Sequence, residues 1–257
     1  FCHEFGHALG LPDLYDTDAS NGGSAGLGKW DIMAGGTWNN SGKTPGYFSA
    51  WCKEQLGWVV PTSLTGSGNI PAMPAFTASY RINTPNSNEY FLIETRNKTN
   101  WDLYIPGEGV AVYHINSSGS NAFEENKKVD LESADGLTDM DDQVNSGDQG
   151  DLFPGTTNNV SINDNTNPNM KLYDGTSTGS SFSNISYANS VGAFSYSVGG
   201  GIVTNCLSQT DYSHFNSPTT NGQSFTMSGC QNGGFFDGID VVAYSSSGGD
   251  KIGRAHV

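Results

Sequence analysis

Two histidines four residues apart constrain this chain more than any other feature. In His3-Glu4-Phe5-Gly6-His7 the spacing puts both imidazoles on one face of a helix, where they can share a metal ion. Glu4 falls about 100° round the helix from His3. That is beside the metal and off it, where a general base for a metal-activated water must sit. The helix predicted over residues 1–9 stops at Gly10 and Pro12. Gly10 can take a positive φ and turn the chain sharply, which lets Asp13 come back to the metal. A carboxylate is an acceptable zinc ligand. Being anionic, it makes zinc held by His3, His7 and Asp13 a weaker Lewis acid than a third imidazole would. A loop cap is the competing reading of Asp13, and Asp16 and Asp18 are rival carboxylates nearby.

Met33 is the next signal. Trp30-Asp31-Ile32-Met33-Ala34-Gly35-Gly36 stands at a distance that suits a Met-turn beneath the zinc. There the thioether packs under the site without binding metal. Alone, Met33 would read as a gap filler in a Gly-rich turn; after the first motif the Met-turn is the better reading. Residues 16–42 read as a long loop. Pro45 to Gly57 reads as a helix, with Thr44 as cap, Gly57 as stop, and an apolar face of Tyr47, Phe48, Trp51 and Leu56.

From about residue 70 the pattern changes to strands. Ala78–Ile82 alternates, and Glu89–Glu94, Gly109–Ile115, Val129–Glu132 and Ala193–Val198 read as further strands. Gly199-Gly200-Gly201 reads as a linker. His114, inside the third of these runs, reads as a structural histidine, with a substrate contact as the alternative.

Charged residues make up only 14% of the 257 residues, and glycine accounts for 34. That mix suits a loop-rich, mostly β extracellular protein. A formal net charge of −15 argues against nucleic acid or an anionic membrane as partner, and no run is long enough to span a membrane. Cys2, Cys52, Cys206 and Cys230 are too few for a disulfide scaffold. Cys206 and Cys230 suit a local bridge; Cys2 and Cys52 are either packed thiols or a bridge between the two helices. Residues 130–151 hold eight carboxylates. Asp130, Asp139, Asp141 and Asp148 are candidate calcium ligands, and a solvated acidic loop is the alternative.

Several stretches closely resemble the M6, immune-inhibitor-A-like peptidases. They are His3–Asp16, Trp30–Gly36, Trp51–Trp58, Glu89–Glu94, Val129–Gly136 and Gly147–Gly155. The resemblance runs over roughly residues 1–198. It implies a secreted zinc endopeptidase acting on protein or peptide substrates, with Glu4 as general base and His3, His7 and Asp13 as zinc ligands. It also implies that an upstream sheet and propeptide precede Phe1, so the chain is expected to be a fragment and inactive alone. Residues 252–257, Ile-Gly-Arg-Ala-His-Val, resemble a translated sequencing adapter.

The expected fold is α+β. Residues 1–62 form the C-terminal part of a zincin, metzincin-like catalytic domain. Residues 63–200 form a β-rich, sandwich-like region, and 201–251 begin a further β-rich domain. Two other readings stay open: a β-rich binding or adhesion module with a non-functional metal site, and a zinc hydrolase acting on a non-peptide amide or ester.

Overall fold

The computed structural model describes residues 1–18 and 20–199, together with the backbone of 239–243 and 251–255. Residues 1–199 form one compact unit and 200–257 a second. In the second unit β10 (Ile239–Ala243) and β11 (Lys251–Ala255) pair antiparallel. Most of the expected further domain, with Cys206 and Cys230, lies outside the described residues.

The first unit is built in layers on one central sheet. That sheet has the order β1 (Thr62–Ser63), β3 (Ser79–Asn83), β4 (Glu89–Arg96), β5 (Gly109–Asn116), β6 (Val129–Leu131). Every pair in it is antiparallel except β1 with β3. Strands β4 and β5 are buried along their whole length, as expected of a sheet covered on both faces.

Alternation along these strands separates two cores. Tyr90, Leu92, Ala111, Tyr113 and Ile115 face a cluster that includes Leu14, Trp30, Met33, Trp51 and Cys52 from the N-terminal segment. Phe91, Ile93, Val110 and Val112 face the opposite way, toward Met73, Ile162, Phe182 and Phe194. Those residues belong to a four-stranded sheet of order β2 (Ser67–Pro74), β9 (Val191–Ser197), β8 (Ser181–Ala188), β7 (Ile162–Asn163). Residues 1–199 are therefore mixed α and β, mostly strands in two sheets, with few helices. Residues 1–59 cover one face of the central sheet, and the second sheet covers the other.

Helices are short. α1 (Cys2–Ala8) ends as expected, with Gly10 at φ +97°. The second helix departs from expectation. It does not begin at Pro45 under a Thr44 cap; α2 spans Ala50–Gln55, with Ser49 as its cap accepting from the Cys52 N–H. The reason is tertiary. The N–H groups of Gly46, Tyr47 and Ser49 go to the Gly36 carbonyl, the Asp102 carboxylate and the Asp31 carboxylate. A helical turn over 45–49 would have to give up those partners. Gly57, at φ +68°, closes the helix as predicted.

The bridge considered between Cys2 and Cys52 is absent. Both are free thiols, Cys52 buried as a packed thiol and Cys2 exposed. Strands β2 and β8 were not predicted, because Ser, Asn and Gly dominate them and apolar residues reach inward at only a few positions. No helix among the described residues is long and apolar enough to cross a membrane.

Trp30 is fully buried, and its indole N–H donates to Asp151 Oδ2 at 2.8 Å. Burial pushes the Asp151 carboxyl up to about 6, against the lowering effect of the Trp30 and Asp148 N–H donors. A carboxyl raised in the folded state binds its proton more tightly there than in the unfolded chain. Its contribution to stability is therefore present below about pH 4 and lost as pH rises through about 6. Asp151→Asn keeps an acceptor for both donors and removes the titration. In a buffer containing a chelator, urea unfolding of the variant should lose the fall in stability between those two pH values and should gain on the parent at pH 7. A parent-like slope in the variant would assign the pH dependence to other groups.

Candidate metal centre

The end of α1 has the hydrogen bonds of a glycine-closed helix. Gly10 N–H donates to His7 O at 2.9 Å and Leu11 N–H to Gly6 O at 3.1 Å. That closure, which needs the positive φ of Gly10, brings the Leu11 carbonyl back over the last turn. His7 Nδ1 donates to it at 2.8 Å. His3 Nδ1 donates to the Ile32 carbonyl, also at 2.8 Å. A carbonyl can only accept, so both rings carry a proton on Nδ1 and turn Nε2 toward the site.

Both Nε2 atoms point at Asp13. His3 Nε2 lies 3.0 Å and His7 Nε2 3.3 Å from Asp13 Oδ1. Zinc with bonds of about 2.0–2.1 Å in a tetrahedral shell holds its ligand atoms roughly 3.3–3.4 Å apart, and these two distances are close to that. Asp13 Oδ1 is buried. A carboxylate oxygen and two imidazole nitrogens this close together can share one cation. The set His3, His7 and Asp13 is thus the one the sequence singled out. The rival Asp16 accepts the Asp18 N–H, and Asp18 accepts from Ser20, as turn residues do.

Glu4 is exposed, one step round the helix, and makes no hydrogen bond or ion pair among the described residues. Tyr15 lies near the ligands, its ring 6.4 Å from that of His3. Burial raises its hydroxyl pKa, and the Asp13 and Glu4 carboxylates raise it further.

Met33 is fully buried in the N-terminal core. Its carbonyl accepts the Leu14 N–H at 2.9 Å, and its thioether lies directly under Gly6. A Cβ on Gly6 would run into Met33 Sδ and would come within 3.1 Å of its Cε. Gly6 is the only buried residue of α1. It is a site residue that sequence reasoning passed over; its signal was its place between the two histidines, where a side chain would face inward.

The acidic loop falls apart into separate partnerships. Asp130 and Asp141 each lie 2.6 Å from Nζ of the buried Lys127. Asn145 Nδ2 donates to both Asp139 and Asp148, each at 3.0 Å. Among the described residues, no three of Asp130, Asp139, Asp141 and Asp148 gather about one point; Asp148 lies instead with Asp135 and Asp151. His114 is structural: it is stacked between Phe91 and Tyr173 at 4.5 and 4.4 Å, and its Nε2 is 3.0 Å from Glu89.

Comparison with known proteins reaches the same segment. Residues 1–59 match the family described as immune inhibitor A peptidase M6, catalytic domain. A stretch of 54 residues is 50% identical to immune inhibitor A of Bacillus thuringiensis subsp. alesti, covering 20% of this chain and 8% of that protein. A stretch of 56 residues is 45% identical to the pre-pro-metalloprotease PrtV of Vibrio cholerae serotype O1 (strain M66-2), covering 21% of this chain and 6% of that one. The matched stretch is therefore under a tenth of the length of either relative.

Gly6→Ala tests the packing under the site. The added methyl should destabilise residues 1–199 by roughly 1–3 kcal/mol, the usual cost of overpacking. Chemical denaturation measures this, and Gly6→Ala combined with Met33→Ala should recover part of the loss. No recovery would mean that Met33 is not what Gly6 accommodates.

Proposed function

We propose, from residues 1–59 being an M6-family segment, that the chain is part of a zinc-dependent endopeptidase that hydrolyses peptide bonds of protein substrates. One observation carries the reading. Two imidazole nitrogens and a buried carboxylate oxygen converge at 3.0 and 3.3 Å. Zinc held by His3, His7 and Asp13 would supply Lewis acidity, polarising a carbonyl and making water more acidic.

The protein's own residues do the rest. His3 and His7 are held in their tautomer by the Ile32 and Leu11 carbonyls. Glu4, unpaired and exposed beside them, takes a proton from the attacking water onto its carboxylate. It then delivers that proton to the leaving amine nitrogen. Met33 and Gly6 set the depth at which the helix sits over the core. The arrangement supports a zincin-like catalytic segment in residues 1–62 and a sandwich-like region in 63–200. Export of the protein is part of the same reading, and the Vibrio relative is named as a pre-pro form.

Glu4→Gln is the direct test. Zinc content should stay at the parent level, while casein hydrolysis falls by about 10²–10⁴-fold. Both are to be measured on this chain and on the longest reading frame that contains it. Parent-like hydrolysis by the variant would remove Glu4 as the base. Hydrolysis that persists after zinc is stripped by a chelator would remove the metal from the reaction.

A further inference from the structure

The turn beneath the site holds a carboxylate that touches no candidate ligand and yet fixes one. Asp31 has no exposed surface. Its Oδ1 accepts the Met33 N–H at 2.6 Å, and its Oδ2 accepts the Ser49 N–H at 2.7 Å. Its carbonyl accepts the N–H groups of Ala34 and Gly36, each at 3.0 Å. On either side of it the backbone is also committed. Arg96 Nη1 donates to the Trp30 carbonyl at 2.8 Å, and His3 Nδ1 donates to the Ile32 carbonyl at 2.8 Å. The Ile32 carbonyl lies between Asp31 and the Met33 N–H that Asp31 holds. Its direction is therefore set by the Asp31 side chain closing over it.

Burial alone opposes a charged carboxylate here and raises the Asp31 pKa; the Ser49 hydroxyl, the Met33 and Ser49 N–H groups and Arg96 act against that. Two short backbone bonds to separate elements make it a clamp joining the turn to the start of α2. We propose that Asp31 is a positioning residue of the metal centre. By holding Met33 and Ser49 it aims the Ile32 carbonyl, which holds the His3 ring in the tautomer and orientation that present Nε2. Partners that orient a ligating histidine in this way affect metal affinity by about 10–100-fold. The inference rests on His3, His7 and Asp13 being a metal-ligand set.

Three variants separate positioning from plain stability. Asp31→Asn keeps the shape but offers an acceptor to only one of the two N–H groups. Ser49→Pro deletes the N–H at Oδ2, at a φ of −60° that proline adopts, and also removes the cap hydroxyl. Ser49→Ala removes that hydroxyl alone and keeps the N–H. Zinc dissociation constants, by competition with a chromophoric chelator, and the visible spectrum of the cobalt(II) form are read on the folded 257-residue chain, with folding checked by circular dichroism. Asp31→Asn and Ser49→Pro should each weaken zinc binding by about 10-fold or more and perturb the cobalt bands. Ser49→Ala, which loses the hydroxyl that also bonds Asp31 but keeps the N–H, should weaken zinc binding less than either of them.

Folded Asp31→Asn or Ser49→Pro with parent-like affinity and spectrum overturns the proposal. So does unfolding of both, because Asp31 is then a residue of stability alone. If the parent itself binds neither metal, the metal reading falls and takes this one with it. Parent binding that both folded variants share overturns only the role of Asp31.

Discussion

Taking a guanidinium out of water costs several kcal/mol unless its donors are used. Arg96, at the end of β4, is 1% exposed and makes four hydrogen bonds with them. Nε and Nη2 form a two-point bond with Asp102 at 2.8 and 2.9 Å, and Nη1 donates to the Trp30 carbonyl at 2.8 Å. The acids around it then reach outward. Asp102 also accepts the Tyr47 N–H, and Glu94 accepts from Ala50 N–H, Lys53 Nζ and Tyr113 Oη. Burial would raise the Glu94 pKa, but Lys53 and Arg96 outweigh it and hold the carboxyl below its ordinary value. Through this hub one strand end fastens three parts of the N-terminal segment to the sheet: the turn at 30, the run at 47 and the start of α2. The floor under α1 depends on it.

The hub and the metal centre follow opposite rules. In the hub each buried charge has its donors and acceptors filled, which is what permits burial at all. A few residues away, Asp13 Oδ1 is one of six buried side-chain atoms without a hydrogen-bond partner among the described residues, with Asp16 Oδ2, Asn39 Oδ1, Ser79 Oγ, Glu124 Oε1 and Tyr173 Oη. It stands apart in having two imidazole Nε2 atoms at 3.0 and 3.3 Å. That convergence, more than the missing donor, is what a cation site requires of its ligands.

The meeting of His3, His7 and Asp13 was legible in the sequence because it is local. His3, Glu4, His7, Gly10 and Asp13 lie within eleven residues, and helix geometry with one glycine turn relates them all. Met33 was legible only by its position after that motif. What could not be read was whatever depends on distant partners. Asp31 looked like an ordinary turn aspartate, since nothing local says that it would meet the Ser49 N–H. The start of α2 was misplaced for the same reason: propensity favoured Pro45, and three tertiary hydrogen bonds over 46–49 decided otherwise. Strands β4 and β5 announced themselves as apolar runs because both their faces are covered. Strands β2 and β8 did not, because much of each is exposed. In the acidic loop, density of carboxylates could not say which of them a buried lysine, Lys127, already answers.

α1 presents a further problem of stability. It has seven residues and buries only Gly6, and a helix so short is marginal on its own. What fixes it is specific: the Gly6 backbone on Met33, the Gly10 closure, and two imidazole N–H bonds, one of them to its own C-terminal loop and one to the turn at 32. The Met33 contact and the His3 bond tie the helix to the floor. Asp13 leads on to Leu14, whose N–H is held by Met33 O at 2.9 Å. A cation joining Asp13 to both histidines would therefore close a ring through Met33, Leu14, Asp13, the helix and back to Met33. Anything that binds the folded form and not the unfolded one adds to stability by RT ln(1 + L/Kd), where L is the free ligand concentration, a gain that keeps growing after the site is filled. On this reading the ligand set has a second physical role. The ion that the three residues bind is also what holds the catalytic helix down on its floor, so loss of metal loosens the helix that carries Glu4.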